Sequence, residues 1–182
     1  MNNQHYLNCF FVIFSLCFTL FTYSQENYDS WTSVNYNTGD TPSCLTFKPK
    51  YDFKLENFLR ISVGGNSDIV VKLMNNSTSE CIRYVYINGG DTYEIKSIPE
   101  GYYYVKIAFG SDWRKSLALG TCFAKFIDNN EYLRGEDILD FNLVKTPYGY
   151  EVPFYELKLD VYTTNKNNSF DSEQISEDEF LK

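Results

Sequence analysis

Apolar and polar positions alternate through the middle of the chain, and helical periodicity is nearly absent. In "NFLRISV", Leu59, Ile61 and Val63 fall on one face, with Phe58, Arg60 and Ser62 on the other. After Gly64-Gly65-Asn66-Ser67, "DIVVKLM" places Ile69, Val71 and Leu73 together. "NNSTSE" marks a turn and "CIRYVYI" the next strand. Asn88-Gly89-Gly90-Asp91 is a hairpin signal, because Asn-Gly supplies the positive backbone angles of a tight turn. "TYEIKS" follows, with Tyr93 and Ile95 on one face and Thr92, Glu94 and Lys96 on the other.

The stretch "SIPEGYYYVKIAFGSDW" comes next. Pro99 pre-sets a turn and Gly101 accepts a left-handed backbone. Tyr103, Val105, Ile107 and Phe109 are predicted to face a core, and Tyr102, Tyr104, Lys106 and Ala108 to face outward or an edge. "SDWRKSLALG" reads as a long connection, "TCFAKFI" as a strand and "DNNEYLRGED" as a loop. "ILDFNLV" and "FYELKLDVYTT" complete the pattern. Eight or nine short strands separated by turns predict an all-β fold, an antiparallel β-sandwich in preference to a barrel.

The two ends differ from this middle. From Leu7 to Phe21 the chain is apolar apart from Asn8, Ser15 and Thr19, and no Lys, Arg, Asp or Glu precedes Glu26. That is the shape of a secretory signal peptide over residues 1–24, cleaved near Ser24-Gln25, with a retained anchor as the alternative. Residues 25–41 form a polar N-terminal segment and 42–163 the sandwich domain. Residues 164–182, "TNKNNSFDSEQISEDEFLK", read as an acidic disordered tail or a weak terminal helix. The expected location is periplasmic, cell-surface or extracellular, with no transmembrane segment left after cleavage.

Charge and composition then remove whole classes of chemistry. The formal charge of −8 repels phosphate backbones, so nucleic acid is not an expected partner. The sole histidine is His5, inside the leader, which excludes Ser-His-Asp and Cys-His catalysis and imidazole-bound zinc downstream of it. Cys44, Cys81 and Cys122 follow the leader. They allow at most one internal disulfide among themselves, with three pairings open, and lie too far apart for a thiolate metal knuckle. No cofactor is expected.

"DTYEIKSIPEGYYYVKIAFGSDW" resembles the core hairpin of carboxypeptidase regulatory-like domains, the transthyretin-like β-sandwich family. Ile98, Pro99, Gly101 and Tyr103 fill that family's proline–glycine–aromatic turn, and "DIVVKLMNNSTSECIRYVYINGGD" is similar to its early hairpin. The likeness covers about residues 67–110 and implies a transthyretin-like sandwich serving as a non-catalytic accessory module; an immunoglobulin-like sandwich is the other form expected. The "YSQ" that ends the leader, with the richness in Asn, Lys, Tyr and Phe, resembles secreted proteins of the Bacteroidetes.

Three sharper readings are open to the sequence. Tyr102, Tyr104, Asp112 and Trp113 could form a glycan-binding face, with rings to stack on sugars and a carboxylate to bond hydroxyls. Against it, Trp113 could plug one end of the sandwich, since large aromatics are mostly buried. Asp128, Asn130, Glu131, Glu136, Asp137 and Asp140 offer calcium ligands, but counting from Asp128 puts Leu133 and Leu139 where an EF-hand needs glycine and glutamate. Glycosidase chemistry needs a marked pair of carboxylates across a cleft, and no pair stands out. The expectation is therefore a non-catalytic exported module that binds another cell-envelope or secreted protein. A carbohydrate-binding module around Trp113 is the alternative.

Overall fold

The computed structural model describes residues 31–42, 47–118, 121–159 and 171–182. The expected leader, 1–24, lies outside them. In chain order the described strands are β1 (Thr32–Ser33), β2 (Phe58–Val63), β3 (Asp68–Asn75), β4 (Cys81–Ile87), β5 (Thr92–Lys96) and β6 (Tyr102–Ala118). Then come β7 (Thr121–Gly135), β8 (Leu139–Asp140), β9 (Val144–Thr146), β10 (Gly149–Glu151), β11 (Phe154–Leu159) and β12 (Ser172–Gln174), followed by one short helix, α1 (Glu177–Leu181).

The large sheet runs β12-β7-β6-β3-β4, with β1 and β8 also paired to β6; the small sheet runs β11-β2-β5, and β9 and β10 make a separate hairpin. The fold is the all-β sandwich the alternation predicts. It has twelve described strands rather than eight or nine, because five are only two or three residues long. The pairings are antiparallel except one: β11 joins β2 in parallel.

The predicted inward faces meet between the two sheets. Leu59, Ile61 and Val63 of β2, Ile95 of β5, and Leu157 and Leu159 of β11 pack with Ile69, Val71 and Leu73 of β3 and with Tyr103, Val105, Ile107 and Phe109 of β6. Each such side chain contributes roughly 1.5–3 kcal/mol by leaving water. The Pro-x-Gly-x-Tyr turn closes on itself here: the Tyr103 hydroxyl donates to the Pro99 carbonyl at 3.0 Å.

The described residues of the connections expected on either side of "TCFAKFI" are mostly strand. β6 and β7 form one long hairpin, paired from Lys106–Arg134 to Ala118–Thr121, with a register shift between Phe109 and Ser111. A one-residue slip moves every later side chain to the other face of a sheet. Phe109 accordingly points into the inter-sheet core, whereas Trp113 lies on the opposite face with Tyr86 and Phe126. Gly110 sits at the shift because a Cβ there would meet the Phe126 Cβ at 2.5 Å.

That opposite face is the second departure from expectation. Tyr104, Lys106 and Ala108, read as outward-facing, are buried. The polar N-terminal segment crosses one part of the face. Val34 N–H donates to the Trp113 carbonyl, Tyr36 packs 5.6 Å from Tyr86, and Gly39 and Asp40 exchange hydrogen bonds with Tyr86. The acidic tail, read as disordered or as a weak terminal helix, crosses another part: residues 171–182 form β12 on the edge of β7 and then the short helix α1, whose Phe180 is buried. Both segments read as polar in sequence, yet each carries one aromatic that anchors it.

Candidate functional site

The outer face of the small sheet gathers the described residues best suited to binding. Alternation sends Phe58, Arg60 and Ser62 outward from β2, and Thr92, Glu94 and Lys96 outward from β5. Parallel pairing adds Phe154, Glu156 and Lys158 of β11 in register. Three cross-strand rows result: Phe154–Phe58–Lys96, Glu156–Arg60–Glu94 and Lys158–Ser62–Thr92.

In the first row the Phe58 and Phe154 rings stack at 5.3 Å, and Phe154 is 61% exposed. In the second, Arg60 donates to Glu94 at 2.6 Å and also pairs with Glu156, while its guanidinium lies 5.0 Å from the Phe58 ring centre. Lys96 also reaches Glu94, at 2.9 Å. Hydrogen bonds from Lys96 and then Arg60 hold the Glu94 carboxyl below its ordinary value, and the bond to Glu94 raises the Arg60 guanidinium. The two ion pairs hold the Arg60 guanidinium beside the Phe58 ring.

Beside Phe58 lies a depression of about 420 Å³ lined by Phe53, Leu55, Glu56, Asn57, Phe58, Glu94, Lys96 and Ser97. Its floor is fixed by Asn57, buried, which donates to and accepts from the Ile98 backbone at 2.7 Å each way. Its wall carries Phe53, 82% exposed and stacked on Tyr51 at 5.0 Å. Arg83 positions that wall from beneath. The buried guanidinium donates to the Ile82, Lys96 and Ser97 carbonyls and sits 3.8 Å from the Tyr51 ring centre. Burial lowers the Arg83 pKa, and it is stabilised by carbonyl oxygens and the ring face rather than by a carboxylate.

The four residues singled out from sequence do not assemble. Tyr102 is half exposed at the start of β6, opposite Asp140. Tyr104 is buried, with Arg134 4.5 Å over its ring. Trp113 is 2% exposed and packs edge-on to Phe126 at 4.8 Å. Asp112 is committed to Arg114 at 2.5 Å and accepts from the Ser33 hydroxyl. Tyr102 and Trp113 are separated by eleven residues of one strand, roughly 35 Å. The sugar-binding reading therefore loses its platform at Trp113, and the tryptophan belongs to the core.

Of the three later cysteines, Cys81 is a free thiol and Cys122 is disulfide-bonded; Cys44 lies outside the described residues. Among the described residues no group of three acidic, His or Cys side chains is placed to hold a metal, and the expected acidic loop from Asp128 is largely β7. No described helix is long and apolar enough to cross a membrane.

Phe53, Phe58 and Phe154 were not singled out by sequence reasoning. The outward placement of Phe58 was legible from alternation, but the parallel register that sets Phe154 beside it was not. No family model, curated protein or solved structure matches the chain.

Proposed function

We propose that the chain is a non-catalytic binding module of the cell envelope that docks a protein partner on the outer face of its small sheet. The observation that carries this reading is the row of exposed phenylalanines. Phe53 and Phe154 stand in solvent beside Phe58, with an arginine held over the Phe58 ring. Exposed aromatics clustered with arginine are what protein interfaces are enriched in, and a contiguous apolar patch on a folded surface marks an interaction site. The partner that fits has an apolar centre for the rings and a rim of mixed charge for Arg60, Glu94, Lys96 and Glu156. The face is also preorganised, since ion pairs and carbonyl bonds fix its side chains before binding. Export rests on the leader-like residues 1–24. The likeness to carboxypeptidase regulatory-like domains supports an accessory role.

A glycan reading moves to this face. Stacked ring pairs with Glu94 and Glu156 beside them suit a sugar ring and its hydroxyls. The test is a crosslinking capture from the native envelope with wild type and with Phe53→Ala/Phe154→Ala, both exposed positions whose loss leaves the melting curve nearly unchanged. Loss of one dominant protein from the double variant supports the protein-docking reading. Equal capture by both chains sinks it. Saturable oligosaccharide binding, lost in the double variant with no protein captured, transfers the face to the glycan reading.

A further inference from the structure

The small sheet ends at β5, which pairs only with β2. The bonding pattern of that pair fixes which backbone groups β5 leaves over. The Val63 N–H donates to the Asp91 carbonyl, just before β5 begins. Bonded and non-bonded partners alternate along an antiparallel pair. Ile61–Tyr93 and Leu59–Ile95 are therefore bonded pairs, whereas Ser62–Thr92, Arg60–Glu94 and Phe58–Lys96 turn their N–H and C=O groups away from each other. On that outer side the Lys96 carbonyl accepts from Arg83 at 3.2 Å. Among the described residues nothing bonds the N–H or C=O of Thr92 or Glu94.

An edge in this state is a template for another strand, and natural sheets guard such edges with charged side chains. The charges here are engaged elsewhere. Glu94 is drawn toward β2 by Arg60 and holds Lys96 beside it. The depression beside Phe58 begins at the same edge, since Glu94, Lys96 and Ser97 line it. A residue of an added strand set opposite Glu94 shares its face, with its Cβ about 5 Å away. That puts its side chain at the rim of the depression.

Two features of the depression select that side chain. Phe53 stacks on Tyr51 and still leaves most of its ring in solvent. Glu56 is exposed and has no ion pair or hydrogen bond among the described residues, whereas Glu94 and Lys96 already pair with each other. A ring face near an unpaired carboxylate suits a cationic head on an apolar stem, which is a lysine or an arginine. The chain's charge of −8 also favours approach of a basic segment.

We propose that β5 is the docking edge for an extended segment of the protein partner, which joins the small sheet as a further strand and seats a lysine or arginine in the depression beside Phe58. This rests on the docking reading above and names how the partner is held. Main-chain bonds to Thr92 and Glu94 supply affinity, and the depression supplies the choice of side chain.

The test is selection of a phage-displayed random peptide library on the wild-type chain, with the enriched peptides dye-labelled and titrated by fluorescence anisotropy. Thr92→Pro removes an N–H that the fold does not use, at the first residue of an edge strand, where proline is tolerated. Enriched peptides that carry a lysine or arginine and bind Thr92→Pro about tenfold more weakly, and Glu56→Gln roughly threefold more weakly, support the proposal. Peptides that bind Thr92→Pro as tightly as wild type, or an enriched set without basic residues, overturn it. Should Thr92→Pro not fold, amide exchange on wild type replaces it: slowing at Thr92 and Glu94 on peptide addition supports strand addition, and unchanged exchange there overturns it. The envelope capture separates this proposal from the docking reading. A partner lost from Phe53→Ala/Phe154→Ala but kept by Thr92→Pro overturns strand addition and leaves the docking face standing; one lost from Thr92→Pro but kept by the double variant does the reverse. A wild-type dimer in light scattering that Thr92→Pro lacks gives the edge to a second copy and overturns the partner assignment.

Discussion

Replacing Trp113 by alanine separates a core residue from a ligand platform. The indole is 2% exposed and lies 4.8 Å from Phe126 and 6.4 Å from Tyr86, edge-on to both. Truncating a buried tryptophan costs about 3–5 kcal/mol, from lost burial plus the cavity left behind. In a domain of this size that lowers Tm by roughly 6–20 °C. The indole nitrogen sharpens the test, because Trp113 Nε1 is buried without a hydrogen-bond partner. Trp113→Phe therefore loses ring volume but no hydrogen bond, and is expected to cost less than about 2 kcal/mol. Urea and thermal melts followed by far-ultraviolet circular dichroism read both variants. An unchanged Tm for Trp113→Ala would refute the burial argument. A phenylalanine variant as damaged as the alanine one would show that the indole nitrogen has a partner.

Three other outcomes are expected. Gly110→Ala should destabilise by about 1–3 kcal/mol, since its Cβ would lie 2.5 Å from the Phe126 Cβ and 2.9 Å from the Asp128 carbonyl oxygen; an unchanged urea midpoint would mean the hairpin can yield there. Burial pulls the Lys72 ammonium down to about 8 from its ordinary 10.5. Between those values the unfolded chain holds more protons than the folded one, so this group makes stability rise with pH. Relative to Lys72→Met, wild type should gain about 3 kcal/mol between pH 7 and 10.5, the buried tyrosines being common to both chains; a constant difference across that range would contradict the assignment. Burial pushes the Cys81 thiol up to about 11, so iodoacetamide at pH 8 should leave it unmodified in the folded chain.

Alternation was enough to place β2 to β5, the start of β6 and the apolar residues that line the inter-sheet core. It failed where a polar pattern met burial. Tyr104 and Lys106 read as facing outward or an edge because lysine and tyrosine usually do. Their face is covered by residues 31–40 and 171–182, segments whose polarity gave no sign that they would pack there. Trp113 was placed in a loop because period-two reasoning has no means of foreseeing the register shift beside Gly110. The binding face was half legible: Phe58, Arg60 and Ser62 were already on one side of their strand. Which strand lies beside them was not, since parallel and antiparallel neighbours have the same period.

The parallel pairing of β11 with β2 also has a kinetic meaning. Phe58 and Phe154 are register partners separated by most of the domain's length, whereas β2 and β5 pair across a short span. Contacts so distant in sequence form late, because a long loop must close before they repay it. The stacking of Phe58 on Phe154 is therefore expected late in folding, an order that mutational folding kinetics at these two positions would check. A chain that has built its large sheet but not yet seated β11 lacks Phe154 and Glu156 on the small sheet, so the face matures only when the domain is complete.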